Sequence, residues 1–254
     1  MLRPKWIIGH LLATTLVISF VAAGFWQLSR HEWRSDLNAR IETQADLEVL
    51  GVDGIANAAA ADLDLRIAEV AGTWAEADIL VWNRSFDGQP GCHIVTPLLF
   101  ENVETGAAEA VVVNRGWLDL ARCENPDRTT FRPDTTRVVV AGQLSKSQQP
   151  GRFQASDPAT GVLESMLRID IGRIDQQIEP VLTPVYLVLA VSEPRETTLL
   201  PVAPRSASVG PHLGYAVQWF LFAAVGIVGY PLVLRKQATS PELDDAGNTC
   251  ETVT

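Results

Sequence analysis

The sequence predicts an α+β membrane protein in which two transmembrane helices flank a mainly antiparallel-β extracytoplasmic domain. Two observations predict the helices: residues 6–29 and residues 206–234 contain no Asp, Glu, Lys or Arg. Each run exceeds the roughly 20 residues that an α-helix needs to cross a bilayer. A third observation predicts the sheet, because short β-branched runs bounded by turn residues recur between the two apolar runs.

The first apolar run could also be a signal peptide, because Val21-Ala22-Ala23 has the small-residue spacing of a cleavage site. The run is long for a signal peptide, however. It also ends in Phe25-Trp26, a pair typical of residues at the membrane interface. We therefore interpret it as a retained membrane helix.

Basic residues at the ends of the two runs predict the orientation of the chain. Arg3 and Lys5 precede the first run, and Arg235 and Lys236 follow the second. Since Lys and Arg close to a membrane span are retained in the cytoplasm, both termini are predicted to be cytoplasmic, in a bacterial plasma membrane. The predicted parts are a cytoplasmic N-terminus (1–6), a first transmembrane helix (7–26), an extracytoplasmic α+β domain (27–211), a second transmembrane helix (212–234) and an acidic, disordered cytoplasmic tail (235–254).

The segment between the two spans begins with helix formers and continues with strands. Residues 30–50 are charged and rich in helix formers, so the first helix is predicted to extend beyond the membrane. The Ala/Asp/Gly-rich residues 51–64 predict a loop or a frayed helix end. The predicted elements that follow are strands at Ile79–Trp82, His93–Thr96, Val111–Val113, Val138–Val140 and Val185–Val191, a short helix at 169–178 and a Pro-rich linker at 194–211. Their spacing favours an antiparallel sheet curled into a partial barrel.

Two cysteines lie in the external segment, Cys92 and Cys123. An oxidising compartment permits a disulfide between them, and two free buried thiols are the alternative. No CxxC motif occurs, so the sequence gives no support for thiol redox chemistry or covalent haem attachment. A copper site at Cys92-His93 is disfavoured, because adjacent residues on a strand point to opposite faces.

Motifs of enzymes are absent from the sequence. GxSxG, HExxH, Walker A and GxGxxG do not occur, and the four histidines do not have metal-ligand spacing with the carboxylates. We therefore predict that the protein is not an enzyme, and no nucleic-acid partner is predicted.

A small internal echo places Asn-Arg at the end of two predicted strands, as Asn83-Arg84 and Asn114-Arg115. One interpretation is a pair of turn residues followed by solvated or ion-paired cations. The other is a pair of cations directed at an anionic ligand or partner.

Polar and aromatic residues cluster where both apolar runs meet the outer membrane surface. His212, Tyr215 and Trp219 fall on one helix face, at i, i+3 and i+7. Trp26 and Arg30 lie at i and i+4 on the first helix, with Gln27 beside them. An ordinary aromatic belt, with His212 as an interface residue, is one interpretation. The other is a haem site, in which His212 ligates iron, the aromatic rings contact porphyrin and Arg30 pairs with a propionate.

The second membrane histidine, His10, lies too deep to share that site. At 1.5 Å per residue, its depth differs from that of His212 by about 20 Å. We expect His10 to pack between the helices or to reach toward the inner interface.

The ordered motifs of the chain resemble the Surfeit-locus (SURF) family of cytochrome c oxidase assembly factors. The resemblance covers residues 7–235, and Cys92 departs from it, since an aromatic residue commonly follows the Pro-Gly there. The motifs that carry it are Gly24-Phe-Trp-Gln-Leu-Ser-Arg30, Asn83-Arg84, Asp87-Gly-Gln-Pro-Gly91, Thr96-Pro-Leu98, Val113-Asn-Arg-Gly-Trp117 and His212-Leu-Gly-Tyr-Ala-Val-Gln-Trp-Phe220.

The resemblance implies an assembly factor that transiently binds haem a and assists its delivery to oxidase subunit I. It implies that His212 is the iron ligand, and that Trp26, Gln27, Arg30, Tyr215, Gln218 and Trp219 contact the haem or a partner. The implied partners are subunit I, other assembly factors including the haem a synthase, and membrane lipid. The alternative is a scaffold or chaperone for oxidase subunits that acts without haem.

Overall fold

The structure is a computed structural model that describes residues 4–131, 137–204 and 210–239 of the 254-residue chain. The chain divides into two units, residues 1–37 with 208–254 and residues 38–207. Residues 240–254, most of the predicted acidic tail, lie outside the described residues, as does Arg3.

Two long helices carry the apolar runs. Helix α1 spans Pro4–Ala45 and helix α6 spans His212–Thr239. The stretches Trp6–Ala45 and His212–Gln237 are long and apolar enough to cross a membrane. The predicted pair of membrane helices is therefore confirmed in length and composition, and α1 continues beyond 26 as its helix formers indicate. The positions of the bilayer boundaries, and the side of the membrane on which each terminus lies, remain predictions.

In the first unit, α1 and α6 pack against each other in antiparallel orientation. Along α1 from Gln27 back to His10, the contacts on α6 advance from His212 to Tyr230. Between these ends, Phe20 stacks on Trp219 with ring centroids 5.6 Å apart. A Cβ atom on Gly24 would lie 2.7 Å from the Phe220 ring, so glycine permits the close approach there.

The second unit is built on a seven-stranded sheet, in which five strands close into a ring. The strands are β1 (Ile67–Trp74), β2 (Ile79–Phe86), β3 (Gln89–Glu101), β4 (Ala108–Asp119), β5 (Arg137–Lys146), β6 (Ser165–Met166) and β7 (Val181–Glu193). Their order is β1-β5-β7-β4-β3-β2-β6. Strand β1 also pairs with β3, where Thr73 lies opposite Leu99 and Trp74 lies opposite Leu98. Most pairs are antiparallel, as predicted, while β4–β7 and β2–β6 are parallel.

Alternate residues of the ring strands fill two separate cores. On β4, Val111 and Val113 face the interior of the ring, whereas Ala110 and Val112 pack on the outer face with Ile171 and Ile174. Because β4 is buried on both faces, its sequence is a continuous apolar run rather than an alternating one. The outer core is covered by α5 (Ile171–Asp175), within the predicted short helix.

Residues 51–64 differ from the predicted loop or frayed helix end. They contain α2 (Val52–Ala56) and α3 (Ala60–Leu63). Both short helices are stabilised by burial, because Ile55 and Leu63 join the core inside the ring.

Cys92 and Cys123 form a disulfide, which settles the alternative that the sequence left open. It joins β3 to the short helix α4 (Leu120–Glu124), and the two cysteines are 31 positions apart in the sequence. Both cysteines are buried in a third core, with Leu118 and Phe131.

Candidate functional site

The first unit brings two predicted site residues into direct contact where α6 begins. His212 Nδ1 and Gln27 Oε1 lie 2.9 Å apart, and both side chains are partly buried. We call the surroundings of this contact the His212 end of the helix pair, and define it by Gln27, Arg30, Gly210, His212 and Tyr215. The histidine and the α1 cluster therefore lie at one end of the helix pair.

The hydrogen bond selects one tautomer of His212. A glutamine Oε1 accepts but does not donate, so the proton must lie on His212 Nδ1. The lone pair is then on Nε2, the atom that imidazole ligands commonly direct at a metal. A neutral His212 in this tautomer can accept a hydrogen bond or ligate a metal through Nε2.

Small residues on both helices allow the contact between Gln27 and His212. Gly24, one turn before Gln27, is buried, and so is Ala216, one turn after His212. Without bulky side chains at these positions, the two backbones approach closely enough for the short polar side chains to meet.

The remaining predicted residues surround this contact at different depths. Trp219 lies two turns further along α6 and packs between Phe20 and Phe222. Tyr215 is 49% exposed and Trp26 is 63% exposed, and Gln218 is exposed as well. The described contacts therefore join only His212 and Gln27 directly, with Trp219 packed at the helix interface.

Arg30 lies one turn after Gln27 and is exposed. Its guanidinium carbon lies 4.3 Å from the centroid of the Trp33 ring, and Arg34 approaches the same ring at 5.7 Å. Among the described residues no carboxylate pairs with Arg30. Arg30 therefore keeps its guanidinium available for an external anion.

Two residues at this end were not predicted from the sequence. His31 follows Gln27 by four positions, on the same helix face, and its Nδ1 is buried without a hydrogen-bond partner in the described part of the chain. The i, i+4 spacing from Gln27 was the available signal. Gly210 has φ +67°, and a Cβ atom there would lie 3.5 Å from His212 Nε2. No local sequence pattern indicates that proximity.

The two Asn-Arg pairs of the second unit have different roles. Arg115 is buried, with Nε 3.1 Å from Glu196 and Nη1 3.6 Å from Asp78. Its Nη1 also donates to the Phe131 carbonyl at 2.9 Å. Arg115 is therefore ion-paired, as the first interpretation expects. Arg84 pairs with no carboxylate among the described residues.

Comparison with known proteins identifies the family. A family model described as the SURF1 family matches residues 14–224, which is most of the chain. No curated protein matches the chain. The chain belongs to the SURF1 family, which is associated with the assembly of cytochrome c oxidase.

Proposed function

From this membership of the SURF1 family, we propose that the chain binds haem a at the His212 end of the helix pair and assists its delivery to oxidase subunit I. The observation that carries the proposal is the 2.9 Å contact between Gln27 Oε1 and His212 Nδ1. Haem a is cargo that passes between binding sites, so no catalytic step is assigned. The proposed partners are subunit I, other assembly factors including the haem a synthase, and membrane lipid.

The residues around His212 suit a histidine that ligates haem iron and later releases the haem. Gln27 fixes the tautomer that leaves His212 Nε2 unprotonated, and Gly210 leaves the approach to Nε2 without a side chain. A carboxylate acceptor at Nδ1 would raise the basicity of the imidazole more than a neutral amide does. Gln27 therefore favours a weaker ligand, suited to exchange.

Other residues at the His212 end are proposed to contact the propionates and the porphyrin ring of haem a. Arg30 is exposed and pairs with no described carboxylate, so it is the candidate partner of a propionate. Tyr215 follows His212 by one turn and presents a half-exposed ring. Trp26, Gln218 and Trp219 remain proposed contacts with haem or a partner protein, and the large apolar area of the two indole rings would exclude water.

The proposed location is the bacterial plasma membrane, with both termini in the cytoplasm. Lys236 lies in the last turn of α6, at the opposite end from His212. Because positive residues are retained on the cytoplasmic side, Lys236 supports the proposal that the His212 end faces the outer surface.

The experiment is a comparison of two histidine variants in cells that make haem a. We expect the full-length protein, purified in detergent, to show a haem absorption spectrum and His212→Ala to lose most of it. His10→Ala is the matched control, because it removes the other membrane histidine at the far end of the helix pair. Full haem occupancy in His212→Ala, or none in the unmodified protein, would favour the scaffold without haem.

A variant of Gln27 tests the role of the hydrogen bond separately. Gln27→Leu keeps the volume of the side chain but cannot accept from Nδ1. We expect it to hold haem more weakly than the unmodified protein, whereas Gln27→Glu should hold haem more tightly and release it more slowly to apo-haemopexin or another scavenger. Equal release rates in all three proteins would contradict the proposed role of Gln27.

A further inference from the structure

The second unit contains a cavity of about 650 Å³ beside the first Asn-Arg pair. Asn83, Arg84, Phe86, Asp87, His93 and Val202 are among the residues that line it. Its volume lies within the range of small-molecule sites, roughly 300–1,000 Å³. The cavity is lined only by residues of the second unit.

A β-bulge directs Arg84 toward this cavity. The register of β2 against β3 shifts between Val81 and Arg84, and Asn83 within the shift has φ +58°. A bulge reverses the alternation of side chains along a strand. Arg84 therefore lies on the same face as Val81, where its Nη2 donates to Gln148 Oε1 at 2.9 Å and to the Leu167 carbonyl at 3.3 Å.

These two acceptors are neutral, so the charge of Arg84 is not compensated by them. Nε and Nη1 have no partner among the residues that the structure describes. Burial lowers the pKa of Arg84, and the nearby Arg168 lowers it further, whereas Tyr186 raises it. A partly buried guanidinium with free donors is a site for an anion.

His93 supplies a second donor to the same cavity. Asn114 Nδ2 donates to His93 Nδ1 at 3.0 Å, which places the imidazole proton on Nε2. Burial, with a smaller contribution from the Arg84 charge, lowers the pKa of His93 to about 4. The imidazole is therefore neutral near pH 7 and offers one N–H donor.

We propose that this cavity binds a small organic monocarboxylate, held by the Arg84 guanidinium and the His93 Nε2–H. Guanidinium matches the two oxygens of a carboxylate in a bidentate arrangement. Phe86 and Val202 provide an apolar wall for the body of the ligand. Asp87 also lines the cavity, and its negative charge disfavours a phosphate dianion relative to a monoanion.

Sodium benzoate is the probe, and the full-length protein in detergent is titrated with it by isothermal calorimetry. We expect saturable binding, with benzamide, the neutral isostere, at least about tenfold weaker. Binding should also shift the imidazole C–H resonances of His93 in NMR spectra. Inorganic phosphate should compete poorly.

Three variants locate the binding. We expect Arg84→Gln to abolish it and Arg84→Lys to weaken it about tenfold, because lysine keeps the charge but loses the bidentate fork. Arg152→Gln is the matched control, since Arg152 is an exposed arginine of the same unit outside the cavity. If Arg84→Gln fails to fold, Arg84→Lys and the His93 shifts in the unmodified protein still decide the result.

The proposal is overturned if benzoate does not bind saturably, or if benzamide binds as well as benzoate. Binding that survives in Arg84→Gln would overturn it, and so would phosphate binding that is tighter than benzoate binding.

Discussion

Tyr230 Oη and His10 Nδ1 form a hydrogen bond of 2.6 Å between the two long helices, at the opposite end from His212. The rings meet edge to face, with centroids 5.7 Å apart. Because a tyrosine hydroxyl can donate or accept a hydrogen bond, the contact is compatible with either tautomer of His10.

Tyr230→Phe removes only the hydroxyl and should lower the stability of the helix pair by about 0.5–1.5 kcal/mol. Thermal unfolding of the full-length protein in detergent, followed by circular dichroism, measures the change. Tyr215→Phe is the control, because Tyr215 is half exposed and has no described hydrogen bond through its hydroxyl. Equal effects of the two variants would show that the His10 contact contributes nothing specific.

Gly24→Ala should separate the helices near His212, because the added Cβ would lie 2.7 Å from the Phe220 ring. We expect a loss of about 1–3 kcal/mol in helix-pair stability. Gly214→Ala is the matched control, since no atom lies within 4 Å of its added Cβ. Combining Gly24→Ala with Phe220→Ala should recover part of the loss, and a strictly additive double variant would refute the steric explanation.

Gly210→Ala should reduce haem occupancy by placing a methyl group 3.5 Å from His212 Nε2. Part of its effect will be backbone strain, because φ at Gly210 is +67°. Gly106→Ala separates the two causes, since Gly106 has φ +65° and open space around its Cβ. We expect lower occupancy in the absorption spectrum of Gly210→Ala alone; equal occupancies would mean that access to Nε2 does not depend on residue 210.

Arg115→Gln should destabilise the second unit by about 3–5 kcal/mol, because it removes the positive charge that buried Asp78 and partly buried Glu196 face. Arg122→Gln is the control: its ion pair with Asp119 is nearly half exposed and should contribute less than about 1 kcal/mol. Urea unfolding followed by tryptophan fluorescence compares the two. A similar loss in both variants would mean that burial of the Arg115 ion pairs is without effect.

The stability of the second unit should fall as the pH drops from 6.5 toward 4. His93 has a pKa of about 4 in the fold against 6.5 ordinarily, so between these values the unfolded chain binds the proton and the folded chain does not. The free energy of unfolding should decrease by at most about 1.4 kcal/mol per pH unit from this group. NMR titration of the His93 ring checks the pKa, and His93→Gln should flatten this part of the pH dependence. A ring that titrates near 6.5 would contradict the prediction.

The long elements were predictable because each is defined by a local pattern. Charge-free runs predicted both long helices, and β-branched runs such as Val111–Val113 predicted strands. Strand β1 was not predicted, because Ala68, Ala71 and Gly72 dilute its apolar alternation. The parallel pairing of β4 with β7 depends on residues about 70 positions apart, which no local pattern specifies.

The sequence predicted which residues belong to the candidate site, but it did not predict which of them are in contact. Spacing grouped Gln27 with Arg30, and His212 with Tyr215, but it could not show which pair would touch. The 2.9 Å contact joins residues 185 positions apart and depends on how α1 and α6 pack along their length, including the close approach of Gly24 to Phe220. The Asn-Arg pairs likewise required the fold, because a register shift occurs at both pairs. Only the three-dimensional contacts distinguish them, since Arg115 meets Asp78 and Glu196 whereas Arg84 meets Gln148.

The closed ring of strands also limits self-association of the protein through the edges of its sheet. Strands β1, β5, β7, β4 and β3 pair on one another, so little backbone in the ring is left for a foreign strand. Beyond the ring, β2 meets the two-residue β6 at Leu80 and Val81, then bulges at Asn83 and carries the charge of Arg84. Irregular, charged edge strands of this kind resist the addition of a strand from another chain, so the sheet is protected against edge-to-edge aggregation.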